Sequence, residues 1–329
     1  MHKHVRCVGG VAVCVVALVL AVASLDGQTR AARTFKTPWG DPDLQGIWSN
    51  QTLTPLERPA EFAGKTHLTE AEAAEYQARL RRQNNADVRQ PGTARDVNTA
   101  YNDFWWDRGD SLVPDRRTSL IVDPPNGRIP ELTPAARARI AADREANARE
   151  SQFPAGPEDF DVYSRCIIRG ALPRLSTGYN NNYQIVQTPG YVAILQEQMH
   201  ETRIIPVTKT PHLPGSVRQW LGDSRGWWEG DTLVVETTNF TDAARGSTFT
   251  GATKNMHLSE RFRRIDADTI DYRFMVTDPE TWARPWTAAA PWHKPDGMLY
   301  EYACHEGNYG LENTLRAARA LEKEKAQGK

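Results

Sequence analysis

The fold class of this chain follows from residues 258–276, which read Leu258-Ser-Glu-Arg-Phe-Arg-Arg-Ile265, Asp266-Ala-Asp268 and Thr269-Ile-Asp-Tyr-Arg-Phe-Met-Val276. In the second half, every other residue is apolar: Ile270, Tyr272, Phe274 and Val276. This period of two is typical of a β-strand with one apolar face. Two such runs around a short polar turn predict an antiparallel hairpin.

Three more hairpins are predicted in the same way. They join 183–187 to 191–196, 227–228 to 232–238, and 286–292 to 298–304. Serial hairpins without crossover helices form antiparallel sheets, so we expect a mainly β protein with accessory helices, built as an antiparallel meander. A sheet of about ten strands exposes long edges unless it closes or packs on another sheet. A closed or nearly closed barrel is therefore the leading architecture, and a β-sandwich is the alternative.

Helical patterns accompany the strands in three places. They lie near 70–82, near 134–150 and near 310–324. The first is preceded by Thr69 with Glu72 three residues later, which is the pattern of a capping box. We expect a single β domain over 46–329 that carries these helices, after an extended lead-in over 24–45.

The N-terminus has the pattern of a secretory signal peptide over residues 1–23. Lys3 and Arg6 precede an apolar run over 8–22, which ends in the small-x-small sequence Ala21-Val-Ala23. A membrane-spanning helix needs about 20 apolar residues, and this run is shorter. We therefore expect a periplasmic or secreted protein without a stable membrane anchor after processing. A retained N-terminal anchor is the alternative.

Cysteine content and charge limit the classes of partner. Of the four cysteines, only Cys166 and Cys304 remain after processing. Two thiols in an oxidising compartment usually pair, so a disulfide is expected, with two buried free thiols as the alternative. With 40 Lys and Arg against 41 Asp and Glu, the chain is nearly neutral. It lacks the basic patch typical of nucleic-acid binding, so we expect no nucleic-acid partner.

Several segments together resemble a family of exported bacterial proteins. They are Pro42-Asp-Leu-Gln-Gly-Ile-Trp48, Arg117-Thr-Ser-Leu-Ile-Val-Asp-Pro-Pro-Asn-Gly-Arg128, Tyr179-Asn-Asn-Asn-Tyr-Gln-Ile-Val-Gln187, Gln219-Trp-Leu-Gly-Asp-Ser-Arg225, Trp228-Glu-Gly-Asp-Thr-Leu-Val-Val-Glu-Thr-Thr-Asn-Phe240 and Tyr302-Ala-Cys-His-Glu-Gly-Asn-Tyr309. The resemblance implies a periplasmic or secreted bacterial protein and supplies no catalytic residues. Within it, Gly46-Ile-Trp48 is similar to the Gly-x-Trp motif on the first strand of lipocalin-like (calycin) barrels, which implies a barrel that admits an apolar ligand at one mouth.

Three histidines lie at the ends of predicted strands and are candidates for catalysis. They are His200, His257 and His305, and Glu201 and Glu306 directly follow two of them. If they meet at one rim, they can act as a general base or hold a metal. An enzyme of the hydrolase, hydratase or lyase class is then the expectation, with a histidine-bound metal as its compatible cofactor. The alternative is a set of structural histidines, each hydrogen-bonded to backbone at a strand end.

Aromatic residues are abundant, with ten Trp and ten Tyr. The candidate ligand-binding residues are Trp105, Trp106, Trp227, Trp228 and Trp286, with Arg225 for a polar group of the ligand. Adjacent residues in a strand point to opposite faces, so one Trp of each adjacent pair lies outside the core, where it either contacts a ligand or is covered by a helix. A pocket with aromatic walls and a few polar groups is typical of small-molecule sites. The leading hypothesis is therefore a secreted or periplasmic binding protein for a hydrophobic or aromatic small molecule, and the enzyme is the alternative.

Overall fold

The computed structural model describes residues 35–89, 91–94, 96, 102–150, 154–170, 172–242 and 251–327, with 147–150 described by backbone alone. One compact unit spans Lys36–Lys329. The predicted signal peptide over 1–23 and half of the predicted lead-in, residues 24–34, lie outside the described residues.

Within the described residues, eleven strands form one sheet. They are β1 (Gly46–Ser49), β2 (Ile121–Asp123), β3 (Asn182–Thr188), β4 (Tyr191–Gln196), β5 (Thr202–Pro206), β6 (Asp223–Glu229), β7 (Thr232–Thr238), β8 (His257–Arg264), β9 (Thr269–Thr277), β10 (Trp286–Ala289) and β11 (Trp292–His293). The hydrogen-bonded order is β5-β4-β3-β1-β11-β9-β8-β7-β6, and β2 pairs with β10, which pairs with β9. Every ladder between these strands is antiparallel. The mainly β, antiparallel class predicted from the sequence is confirmed.

The hairpin of β8 and β9 forms as its alternating pattern predicts. Phe262 lies opposite Tyr272 in the ladder. The four alternating apolar residues of β9, Ile270, Tyr272, Phe274 and Val276, are each at most 1% exposed. The hairpins of β3 with β4 and of β6 with β7 also form.

The fourth predicted hairpin is wrong, because residues 298–304 form no strand. The reason lies in the order of the sheet. Both sides of β11 are already occupied, one by β9 and the other by β1. A strand that followed β11 would find no free backbone groups beside it, and the chain instead leaves the sheet.

The closed barrel is not supported, because no ladder joins the two edge strands β5 and β6. The path through the sheet contains nine strands, and an odd number of alternating strands leaves both edges pointing the same way. An antiparallel ladder cannot close such a path. One isolated bridge, which is parallel, joins Val207, the residue after β5, to Gly226 on β6. An open sheet or a sandwich is compatible with the described strands.

The apolar residues fall into two clusters. The main core lies against the sheet and is rich in aromatic rings, including Trp48, Phe262 and Trp286, which are at most 2% exposed. A smaller cluster of Leu53, Leu68, Ala73, Tyr76 and Leu112 lies beneath the first helix.

Three helices lie on the segments with helical patterns. They are α1 (Glu70–Asn84), α2 (Pro134–Glu150) and α3 (Tyr309–Ala326). Helix α1 begins with the capping box of Thr69 and Glu72. In the described residues, no helix combines the length and the apolar character that a membrane span requires.

Candidate functional site

The cavity lined by residues of β3, β4, β5, β8 and β11 is too small to hold a ligand ring. Tyr183, Phe262 and Trp292 line it together with two buried ion pairs, and it has a volume of about 30 Å³. An engineered apolar cavity of about 150 Å³ is known to bind benzene, whereas about 30 Å³ is the share of one water in the liquid.

A larger cleft of about 540 Å³ lies away from this cavity, and we call it the tyrosine cleft. Five aromatic side chains line it: Trp105, Trp106, Tyr163, Tyr179 and Tyr302. The other lining residues are small or carry neutral polar groups: Ser164, Asn180, Ala303, Cys304, Gly307 and Asn308. No Asp, Glu, Lys, Arg or His is among these lining residues, so the walls of the cleft attract uncharged ligands.

Three tyrosine hydroxyl groups meet in the cleft. The Tyr163 hydroxyl lies 3.0 Å from that of Tyr179 and 2.8 Å from that of Tyr302. The rings of Tyr179 and Tyr302 are nearly parallel, at an angle of 11°. Burial raises the pKa of each of the three hydroxyls, so all three are protonated and neutral at physiological pH.

This tyrosine triad offers more acceptor sites than donor hydrogens. Each hydroxyl has one donor hydrogen and two acceptor lone pairs. The two hydrogen bonds inside the triad use two of its three hydrogens, and Gln198 forms a further hydrogen bond with the Tyr302 hydroxyl. The triad is therefore complementary to a ligand that donates a hydrogen bond.

Two arginines contact aromatic rings that line the cleft. The Arg108 guanidinium lies 3.8 Å from the centre of the Trp106 ring, and that of Arg169 lies 4.6 Å from the centre of the Tyr163 ring. Such contacts are cation–π interactions. Because both cations already face these rings, a positively charged ligand in the cleft would meet like charge.

Trp106 is held by the backbone beside it. Asp107 N donates to Gly178 O at 2.6 Å, and the buried Asn181 side chain donates to Asp107 O at 2.6 Å. A Cβ atom on Gly178 would lie 2.5 Å from the Trp106 ring. Only glycine at 178 lets the indole approach this closely.

The structure gives the three candidate histidines different surroundings. His200 is exposed in the turn after β4. The His257 imidazole lies 3.7 Å from the Glu236 carboxylate and is half-buried at the start of β8. His305 is exposed in an irregular segment, and not at the end of a strand as expected, because the strand over 298–304 does not form. In the described part of the chain, no three His, Cys, Asp or Glu side chains form a group that could hold a metal ion.

The two candidate carboxylates have different surroundings. Glu201 turns inward, pairs with the buried Arg174 and accepts a hydrogen bond from the backbone N of Arg169. Burial raises the pKa of this carboxyl. Glu306 is exposed beside His305.

The remaining aromatic candidates divide between core and surface. Trp286 is fully buried in the main core. Trp228 packs against that core, whereas Trp227, its neighbour on the strand, donates from Nε1 to Glu229 at 3.0 Å. Arg225 forms an ion pair with Asp223, also on β6, at 2.6 Å. Of the candidate tryptophans, Trp105 and Trp106 are the ones that line the cleft.

Sequence reasoning missed the tyrosines of the cleft, although one pattern pointed to two of them. Tyr163 lies three residues before Cys166, and Tyr302 lies two residues before Cys304. The predicted disulfide is confirmed, with Cα atoms 5.8 Å apart. A disulfide brings the neighbours of both cysteines together, so the predicted disulfide was the signal from which the proximity of these two tyrosines could have been predicted.

No protein-family model, curated protein or solved structure matches the chain. The inference of function therefore depends on the geometry of the cleft.

Proposed function

We propose that this chain is an exported binding protein for an uncharged aromatic small molecule that carries a hydroxyl group, and that the tyrosine cleft is its site. The observation that carries the proposal is the lining of the cleft, with five aromatic side chains and no charged one. Its volume of about 540 Å³ is within the range of about 300–1,000 Å³ that is typical of small-molecule sites.

The chemistry of the walls supports each part of the ligand description. Flat aromatic side chains favour a ligand with a flat ring. The triad favours a ligand that donates a hydrogen bond, because its free groups are mostly acceptors. Arg108 and Arg169 disfavour a cationic ligand.

Export is the second half of the proposal. The N-terminal run over 1–23, the resemblance to exported bacterial proteins and the sequence ending at Ala23 support it. The disulfide is compatible with an oxidising compartment. The enzymatic alternative has no observation in its favour among the described residues.

The experiment is isothermal titration calorimetry of the secreted protein with four matched bicyclic compounds. They are 2-naphthol, 2-methylnaphthalene, 2-naphthoate and 2-naphthylmethylammonium. We expect 2-naphthol to bind most tightly and 2-methylnaphthalene roughly five- to tenfold more weakly, because one net hydrogen bond contributes about 1 kcal/mol. The ammonium compound should bind weakest.

Three variants test whether 2-naphthol binds in the tyrosine cleft. Trp105→Ala and Tyr302→Phe should each weaken the binding of 2-naphthol, because both side chains line the cleft. Trp227→Ala removes the same kind of side chain from a strand position outside the cleft and is the matched control. The proposal is wrong if none of the four compounds binds, or if the control variant weakens binding as much as Trp105→Ala does.

A further inference from the structure

We propose that the Cys166–Cys304 disulfide is a positioning element of the tyrosine cleft, so that ligand binding depends on its oxidation state. The inference rests on the proposed function, because it concerns the same cleft. The observation behind it is that the disulfide joins the two irregular segments that contribute Tyr163 and Tyr302 to the walls of the cleft.

The first wall is formed by the segment just before Cys166. This segment contributes Tyr163 and Ser164 to the lining of the cleft. The second wall surrounds the other cysteine, with Tyr302 and Cys304 among its lining residues. The two cysteines are 138 residues apart in the sequence, so nothing local holds one wall against the other.

Among the described residues, hydrogen bonds also cross between these walls. The Tyr163 and Tyr302 hydroxyls lie 2.8 Å apart. The Asn308 side chain donates to Ser164 O at 2.8 Å and lies 3.5 Å from Cys166 Sγ. Hydrogen bonds at a solvent-open cleft are readily exchanged for bonds to water, so the disulfide is the durable connection.

The sheet does not depend on this connection. Cys166 precedes β3 and Cys304 follows β11, so both cysteines lie outside every strand. Neither belongs to the main hydrophobic core. Loss of the disulfide should therefore release the second wall and leave the sheet folded.

The redox step is ordinary thiol–disulfide exchange. A dithiol reductant supplies two electrons and two protons, the S–S bond breaks, two thiols form, and the reductant closes its own disulfide. Because Cys304 lines the open cleft, a bound ligand covers the route to its sulfur. Linkage is reciprocal, so if reduction weakens ligand binding by a given factor, the ligand makes the disulfide harder to reduce by the same factor.

The test compares the oxidised protein, the protein reduced with dithiothreitol, and the double variant Cys166→Ser with Cys304→Ser. We expect both altered forms to bind 2-naphthol roughly tenfold or more weakly, a change that calorimetry measures directly. The matched control is dithiothreitol added to the double variant, which should change nothing. A thiol assay must show two free thiols in the reduced protein.

Hydrogen exchange read by mass spectrometry gives a result that needs no ligand. After reduction, amide protection should fall within 161–168 and 298–308 and stay unchanged in β3 to β9. Unchanged exchange in both segments would overturn the inference, as would equal affinity in the oxidised and reduced forms. A loss that spreads over the sheet would also overturn it, because the disulfide would then support the whole fold. If the oxidised protein binds none of the compounds, the proposed function fails, and the exchange result still decides whether the disulfide positions the walls.

Discussion

Arg203 should be one of the residues on which the stability of this protein depends most. Its guanidinium donates to Ser224 at 2.9 Å, to Thr237 at 2.7 Å and to Glu260 at 2.5 Å. The Arg203 and Glu260 side chains are 8% and 2% exposed. Because Arg203 lies on β5 and Ser224 on β6, this contact also ties together the two edges of the sheet.

The expected magnitude follows from burial. Arg203→Met leaves a buried carboxylate without its cation, and removing one partner of a buried ion pair costs about 3–5 kcal/mol. An unfolding entropy of about 2.1 cal/mol/K per residue, taken over the roughly 290 residues of the unit Lys36–Lys329, is about 0.6 kcal/mol/K. The Tm should therefore fall by about 5–8 °C.

Differential scanning calorimetry measures this shift in Tm. Two further variants test whether the unpaired buried charge causes it. Adding Glu260→Gln to Arg203→Met removes the buried charge and keeps an oxygen for the Tyr272 hydroxyl, which donates to Glu260 at 2.8 Å. Most of the lost stability should return. Arg261→Met is the matched control, because Arg261 pairs with Glu229 at the surface, with side chains 47% and 49% exposed. Such pairs contribute about 0–1 kcal/mol.

Two outcomes would refute this reasoning. One is a Tm for Arg203→Met that matches that of Arg261→Met. The other is a double variant that is no more stable than Arg203→Met alone.

Three further predictions concern other parts of the chain. The secreted protein should begin at Ser24, and an intact mass that includes residues 1–23 would contradict export. Gly178→Ala should displace the Trp106 ring, because the new Cβ would lie 2.5 Å from it; we expect weaker binding of 2-naphthol by calorimetry with an unchanged far-UV circular dichroism spectrum, and unchanged affinity would contradict the close approach. Hydrogen bonds from Lys65 and from the cap of α1 lower the pKa of Glu72 from 4.5 to about 2. The stability that Glu72 contributes should therefore be complete above about pH 4.5 and lost as the pH falls towards 2, and an NMR titration with a midpoint near 4.5 would contradict it.

The sequence by itself determined the class of the sheet and its best hairpins. The alternation in β9 is a local property, since successive side chains of a strand point to opposite faces wherever the strand lies. The turn between β3 and β4 and the capping box of α1 are also local, because each depends on residues that are close together in the sequence. The disulfide was predictable for another reason, since only two cysteines follow the predicted cleavage site.

Only the tertiary structure decided which strands lie side by side. β1 lies between β3 and β11, more than a hundred residues away from either in the sequence, and no local pattern encodes that choice. With β11 occupied on both sides, residues 298–304 leave the sheet, and the expected strand end at His305 disappears. The surroundings of His305 thus depend on the pairing of β11 with β1 and β9.

Tertiary structure also decided where charge is buried and where the cleft lies. In β5, the buried residues are Arg203 and Ile205, whereas Ile204 is 63% exposed. A hydropathy pattern favours Ile204 over Arg203 for the interior, but Glu260, far along the chain, supplies the partner that makes burial of the arginine tolerable. The tyrosine cleft is assembled from segments near 105, 163, 179 and 302. Each segment alone is an unremarkable aromatic loop, because a site made of long-range contacts exists only once the chain has brought its parts together.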